Sequence, residues 1–217
     1  MLLRHGRTAW NAQRRFQGHA DPPLDDVGRA QAWEVSFILA ALRPDLLVSS
    51  TLIRAEQTAS IVSEVVGLPF TTDVRFRERG LGHWEGLTLD EVSAAYPEEY
   101  AEWAAGQDVA RRGGESREEV ASRSLAALAE LPEVPVTVLV THGATAMSTA
   151  NALLGIAQRT HPLGPLMNCH WTELISEQTP GRATVWRVRG HNLGAPGTVV
   201  PLPAREAVID GTTDADA

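Results

Sequence analysis

Short unbroken apolar runs alternate along this chain with longer stretches whose apolar residues recur at helical spacing. That alternation predicts an α/β fold on a mostly parallel sheet. Residues 1–3 read as the stub of a first strand, 46–48 as a buried second strand, and 136–140 (Val-Thr-Val-Leu-Val) as the strongest strand signal. Val27, Ala30, Trp33, Phe37, Ile38 and Ala41 follow helical spacing and predict a helix over 25–42, closed by Pro44. A second helix covers 52–66 and stops at Gly67, where Leu68-Pro69 opens the next connection. Helices over 115–131 and 144–154 flank the third strand, and 171–175 with 183–188 form a closing hairpin at a sheet edge. The expected architecture is a three-layer αβα sandwich.

Residues 80–114 break this rhythm. Trp84, Tyr96, Tyr100 and Trp103 fall on short helical pieces bounded by glycines, as expected of a small helical insertion that caps a pocket. From Pro203 the chain is acidic and rich in small residues, which predicts a disordered tail over 203–217 after a single domain over 1–202. Three residues is short for a first strand, against about 5–6 typically, so the start is expected to lie a few residues late or to be clipped.

Composition narrows the partners. With 217 residues, 43% hydrophobic and 21% charged, the chain suits one globular domain with a real core. The formal net charge of −8 argues against nucleic acid or an anionic membrane as a bulk partner, so positive charge for an anionic substrate must be local. The single cysteine, Cys169, cannot form an intramolecular disulfide, and no apolar run reaches a membrane-spanning length. A cytoplasmic protein acting on a small molecule is the expectation, and a homodimer through an edge strand or outer helix is compatible with it.

The chemistry gathers at strand ends. Arg4-His5-Gly6 follows the first strand, Thr141-His142-Gly143 follows 136–140, and Ser49-Ser50-Thr51-Leu52-Ile53-Arg54-Ala55 joins the second strand to its helix. Ligands of open α/β sheets bind where strand ends and helix N-termini converge. These junctions aim Arg4, His5, Arg54 and His142 at one face: two guanidiniums and two imidazoles, a set suited to a tetrahedral dianion. Gly6 is read as letting the backbone come close to that anion.

With these motifs in order, the chain resembles the histidine phosphatase superfamily, the phosphoglycerate mutase-like family. Residues 2–11 (Leu-Leu-Arg-His-Gly-Arg-Thr-Ala-Trp-Asn) match its opening signature, followed by Arg15-Phe16-Gln17-Gly18, Leu52-Ile53-Arg54-Ala55 with Gln57-Thr58-Ala59, Arg77-Glu78 with Gly82-His83-Trp84-Glu85-Gly86, Gly113-Gly114-Glu115-Ser116 and Thr141-His142-Gly143. The resemblance implies that His5 is the nucleophile that becomes phosphohistidine and Glu78 the proton donor to the leaving oxygen. Arg4, Arg54 and His142 would clamp the phosphoryl oxygens, with Asn11, Gln17, Gly18 and Gly143 lining the substrate pocket. Glu85 is the rival acid. Neither a metal nor another cofactor is implied, and His19, His83, His161, His170 and His191 lack metal-ligand spacing. Thr51 stands where the family commonly has proline.

The implied activity is a histidine acid phosphatase-type hydrolysis of a small phosphomonoester. Gly113-Gly114-Glu115-Ser116 together with Asn168-Cys169-His170-Trp171-Thr172-Glu173-Leu174 resembles the actinobacterial glucosyl-3-phosphoglycerate phosphatase subgroup, with Arg111 or Arg112 a candidate partner for a substrate carboxylate. Two alternatives stay open: phosphoryl transfer of the mutase type, and a phosphate-binding regulatory module without turnover.

Overall fold

The computed structural model describes residues 1–160, 162–178, 181 and 183–195. Its centre is a six-stranded sheet in the order β3-β2-β4-β1-β5-β6. The strands are β1 (Leu2–Arg4), β2 (Leu46–Ser50), β3 (Phe70–Asp73), β4 (Thr137–Thr141), β5 (Trp171–Glu177) and β6 (Val185–Leu193). β3, β2, β4 and β1 run parallel, whereas β5 pairs antiparallel with β1 and β6 antiparallel with β5. The expected closing hairpin is therefore present, its second strand extending to Leu193.

Strand alternation sorts the core into two layers. Leu3, Leu47, Val138 and Val140 face α2 (Asp26–Ala41) and α3 (Ile53–Val66), against Ala32, Val35, Leu39, Ala55, Ala59 and Val62. Leu2, Val48 and Leu139 face the other way, against Ala127 of α6 (Arg117–Ala129) and Ala146 and Ala150 of α7 (Gly143–Leu153). This is the anticipated αβα sandwich. A short α1 (Ala9–Ala12), capped by Thr8, follows the first motif.

Residues 82–112 form the insertion, with α4 (Leu89–Ala95), α5 (Pro97–Ala104) and 3₁₀ turns at Gly82–Trp84 and Ala110–Arg112. It carries its own core of Trp84, Val92, Trp103 and Val109, on which Phe16 packs. Arg112 is buried beneath it, its guanidinium carbon 5.2 Å from the Trp84 ring centroid. The tail over 203–217, the domain boundary near 202 and His161 lie outside the described residues.

One sequence expectation is corrected, and one pattern acquires a different meaning. β3 was read as connection, because Phe-Thr-Thr-Asp is a short, largely exposed edge strand with little apolar signal. The regular stripe on α2 is also not its buried face: the helix buries Gly28, Ala32, Val35, Ser36 and Leu39, while Val27, Ala30, Trp33, Phe37 and Ala41 are exposed. Small residues won the inner face because α2 approaches the first motif closely; a Cβ on Gly28 would overlap the Arg7 carbonyl.

Candidate active site

β1, β4 and β2 are adjacent, and their carboxyl ends deliver His5, His142 and the loop leading to Arg54 to one place. The His5 amide continues the β1–β4 ladder by donating to the Thr141 carbonyl at 3.0 Å. The ring centroids of His5 and His142 lie 5.1 Å apart, and both side chains are buried.

The tautomer of His5 follows from its neighbour. Its Nδ1 is 2.7 Å from the Gly6 carbonyl oxygen, which only accepts, so Nδ1 carries the hydrogen and Nε2 holds the lone pair. Burial, followed by the charges of Arg54 and Arg4, holds the imidazole well below its ordinary pKa. His5 is thus a neutral imidazole with its nucleophilic nitrogen uncommitted.

His142 is set by a residue that sequence reasoning passed over. Its Nε2 lies 2.8 Å from Ser50 Oγ, while Ser50 Oγ already accepts from the Leu52 amide at 3.2 Å. Ser50 Oγ has one hydrogen and a second lone pair, so it can serve either tautomer of His142; when it donates to Nε2, the ring hydrogen sits on Nδ1. Nδ1 is buried and meets no hydrogen-bond partner, and in that tautomer it is a donor open to an anion. Burial, then the Arg54 charge, lowers the His142 pKa well below normal.

Arg54 is fully buried at the start of α3. Its Nη1 and Nη2 donate to the carbonyls of Ala20 (2.8 Å) and Gly18 (2.9 Å), and its Nε has no partner. Burial lowers its pKa to about 10, so it remains a cation near neutrality. Arg4 Nη1 donates to the Leu166 carbonyl at 2.6 Å, and its side chain passes beside Gly143, whose missing Cβ leaves ordinary van der Waals room.

Glu78 lies against the N-terminus of α7, the helix that His142 caps. Its carboxylate accepts from the amides of Thr145 (3.1 Å), Ala144 (3.3 Å) and Arg79 (2.8 Å). Glu85, the rival acid, has both oxygens taken by the amides of His19, Leu81 and Ala20 at 3.0–3.1 Å. It pins the loop under Arg54 instead.

Asn11 and Gln17 are brought together by Thr8, another residue the sequence did not single out. The Thr8 hydroxyl is 3.1 Å from both amide oxygens, an arrangement that turns the two NH2 groups away from it as donors. Thr8 was visible only as part of the opening signature.

Three of the expected site residues also have structural partners. The Gly6 amide donates to Thr58 Oγ1 at 3.0 Å, and a Cβ on Gly6 would overlap the Gly28 carbonyl, so this glycine serves the close approach of α2. Gly18, at φ 51°, supports the guanidinium of Arg54 through its carbonyl. Arg111 is tied to Glu98 (3.1 Å) and Glu102 (2.5 Å) on α5, so its bonds hold the insertion together and do not reach the histidine cluster. Among the described residues no group of three or more His, Cys, Asp or Glu could hold a metal ion, and no helix is long and apolar enough to cross a membrane.

The family model of the histidine phosphatase superfamily (branch 1) matches residues 1–189. The chain belongs to that superfamily. It is 41% identical over 186 residues to the glucosyl-3-phosphoglycerate phosphatase of Mycolicibacterium vanbaalenii, covering 80% of this chain and 82% of that protein. It is 34% identical over 195 residues to the probable phosphoglycerate mutase GpmB of Klebsiella pneumoniae, covering 86% and 89%. Among solved structures, a mycobacterial glucosyl-3-phosphoglycerate phosphatase in complex with VO3 superposes with a TM-score of 0.80 at 36% identity, over 88% of this chain and 97% of that one.

Proposed function

We propose that this protein is a phosphoric monoester hydrolase of the histidine acid phosphatase type, working in the cytoplasm on a small phosphorylated metabolite. The observation that carries the reading is the state of His5: buried, neutral, its Nδ1–H committed to Gly6, with the charges of Arg54 and Arg4 acting on its ring and a second imidazole beside it. Nε2 attacks phosphorus, the P–O ester bond breaks, and the leaving oxygen takes a proton from Glu78. Water then attacks phosphohistidine, returns a proton to Glu78 and releases inorganic phosphate. The rest of the site positions and neutralises the phosphoryl oxygens: Arg4, Arg54, the Nδ1–H of His142 and the amides of Asn11 and Gln17, as expected where phosphoryl transfer is mainly a matter of placement and charge.

The substrate we propose is glucosyl-3-phosphoglycerate or a close phosphoglycerate or phosphosugar ester, on the strength of 41% identity to a phosphatase of that name. The 34% identity to a probable phosphoglycerate mutase keeps transfer to a second hydroxyl as the competing reading. Phosphate release should be measured on a panel of phosphomonoesters, including glucosyl-3-phosphoglycerate and 3-phosphoglycerate, with EDTA present and His5→Ala in parallel. Release by the wild type alone supports the proposal. Isomerisation of 3-phosphoglycerate without release supports the mutase, and silence toward every ester would sink both.

A further inference from the structure

We propose that Glu115 is a positioning residue for Glu78, holding the main chain of the acid loop through Arg123, His19 and Gly80. This rests on the reading of Glu78 as proton donor and gives a task to a motif that phosphoryl transfer at His5 leaves idle, Gly113-Gly114-Glu115-Ser116. The Glu78 carboxylate is held against α7 by the Ala144 and Thr145 amides. Its main chain is held separately. The Glu78 carbonyl accepts from His19 Nε2 at 2.8 Å and from Arg123 Nη2 at 3.1 Å. A carbonyl only accepts, so His19 carries a hydrogen on Nε2. Both donors converge on Glu115. Arg123 Nε lies 2.8 Å from its Oε1, while Arg123 Nη2 lies 3.0 Å and His19 Nε2 3.5 Å from its Oε2. The same Oε2 accepts from the Gly80 amide at 2.8 Å. One carboxylate thus pairs with the fork that grips residue 78 and takes the amide of residue 80.

Further bonds close the clamp. The Glu115 amide donates to the Gly80 carbonyl at 2.9 Å, and Arg79 Nε donates to the Glu115 carbonyl at 2.7 Å. The two loops press backbone to backbone, since a Cβ on Gly114 would overlap the Gly80 carbonyl. Side-chain exposures of 25% for Glu115 and 19% for Arg123 keep their ion pair away from bulk water, where a surface pair orders little. Residues 78, 79 and 80 are therefore each tied to Glu115 or to its partners. Proton transfer demands hydrogen-bond reach between donor and leaving oxygen, and a displacement of about 1 Å can cost on the order of 10²-fold. A clamp on the Glu78 main chain sets that distance.

The test is a double-mutant cycle in the full chain, with circular dichroism recorded for every variant. Turnover is measured on p-nitrophenyl phosphate and on the alkyl phosphomonoester of the panel that the wild type hydrolyses fastest. Glu115→Gln should lower kcat on the alkyl ester by roughly 10–100-fold with little change in KM, and on p-nitrophenyl phosphate far less. Added to Glu78→Gln, it should cost no more than about a further twofold, because its effect runs through the group already lost. Arg123→Lys keeps the cation but loses the fork, and should show the same two signatures even if Glu115→Gln fails to fold. Equal slowing of both esters, or an undiminished cost in the Glu78→Gln background, would make Glu115 a stabilising residue only and overturn the proposal. So would wild-type kcat in both Glu115→Gln and Arg123→Lys. If Glu78→Gln itself spares the alkyl ester, the acid assignment fails and the positioning role falls with it, whereas a wild type silent on every ester ends the hydrolase reading and this one together.

Discussion

The Nε2 of His142 lies 2.8 Å from Ser50 Oγ, and this contact decides which nitrogen of the second imidazole faces the cluster. With the Ser50 hydroxyl donating to Nε2, the otherwise unpartnered Nδ1–H of His142 becomes the donor. Ser50→Ala should then lower kcat by roughly 10–100-fold, the usual cost of losing a hydrogen bond that orients a functional imidazole, with a smaller change in KM. Steady-state kinetics check this; an unchanged kcat would show that His142 needs no such orientation.

His5→Ala should reduce turnover by at least about 10³-fold on every ester, since no other described group offers a comparable nucleophile. Quenching of wild type with a 32P-labelled substrate in alkaline detergent should trap base-stable, acid-labile label on the protein, and His5→Ala should trap none.

Glu78→Gln should discriminate between leaving groups. An alkyl phosphate needs a proton on its departing oxygen and should slow by about 10²–10⁴-fold. p-Nitrophenyl phosphate, whose leaving group departs as a stable anion, should slow far less. Equal losses on both would move Glu78 from proton transfer to structure, in keeping with its bonds to α7.

The His5 and His142 imidazoles are both held well below their ordinary pKa of 6.5, chiefly by burial. The unfolded chain therefore binds protons below about pH 6.5 that the folded chain refuses, so stability falls as pH drops below 6.5 and recovers as it rises. Each such histidine contributes about 1.4 kcal/mol per pH unit in that window. His19, raised by its bond to Glu115, works in the opposite sense and offsets part of the slope. Urea unfolding at pH 7 and pH 5.5 should show the loss, and His142→Asn should flatten it. By the same shifts, the acidic limb of kcat/KM should lie well below pH 6.5.

Gly18→Ala tests the loop beneath Arg54. At φ 51° an alanine is strained, and its Cβ would overlap the Glu85 carboxylate that pins this loop. A loss of about 1–3 kcal/mol is expected, together with weaker phosphate inhibition as the Gly18 carbonyl withdraws from the guanidinium.

What the sequence made legible was whatever repeats locally or belongs to a dense motif. The β2, β4 and β5–β6 strands and the helices on both faces of the sheet followed from periodicity, and His5, Arg54, His142 and Glu78 from ordered signatures. Ser50, Thr8 and Thr58 escaped because their roles depend on partners brought near by folding; Ser50 and His142 are far apart along the chain. The α2 stripe announced its helix but not which face is buried. Periodicity shows that a helix has an apolar face, but the close contact between Gly28 and the first motif chose the face with the smaller side chains.

The pairing of β1 with β4 also governs when this protein becomes active. His5 is made first, but its strand finds a parallel partner only once Thr137–Thr141 has been synthesised, and an antiparallel one only at Trp171 and Thr172. At about 5–20 residues per second, the nascent chain spends on the order of ten seconds carrying an imidazole with no phosphate cradle around it. A chain that ends before β4 lacks both His142 and the parallel partner of β1, so the histidine cluster is a product of the assembled sheet and not of the first motif alone.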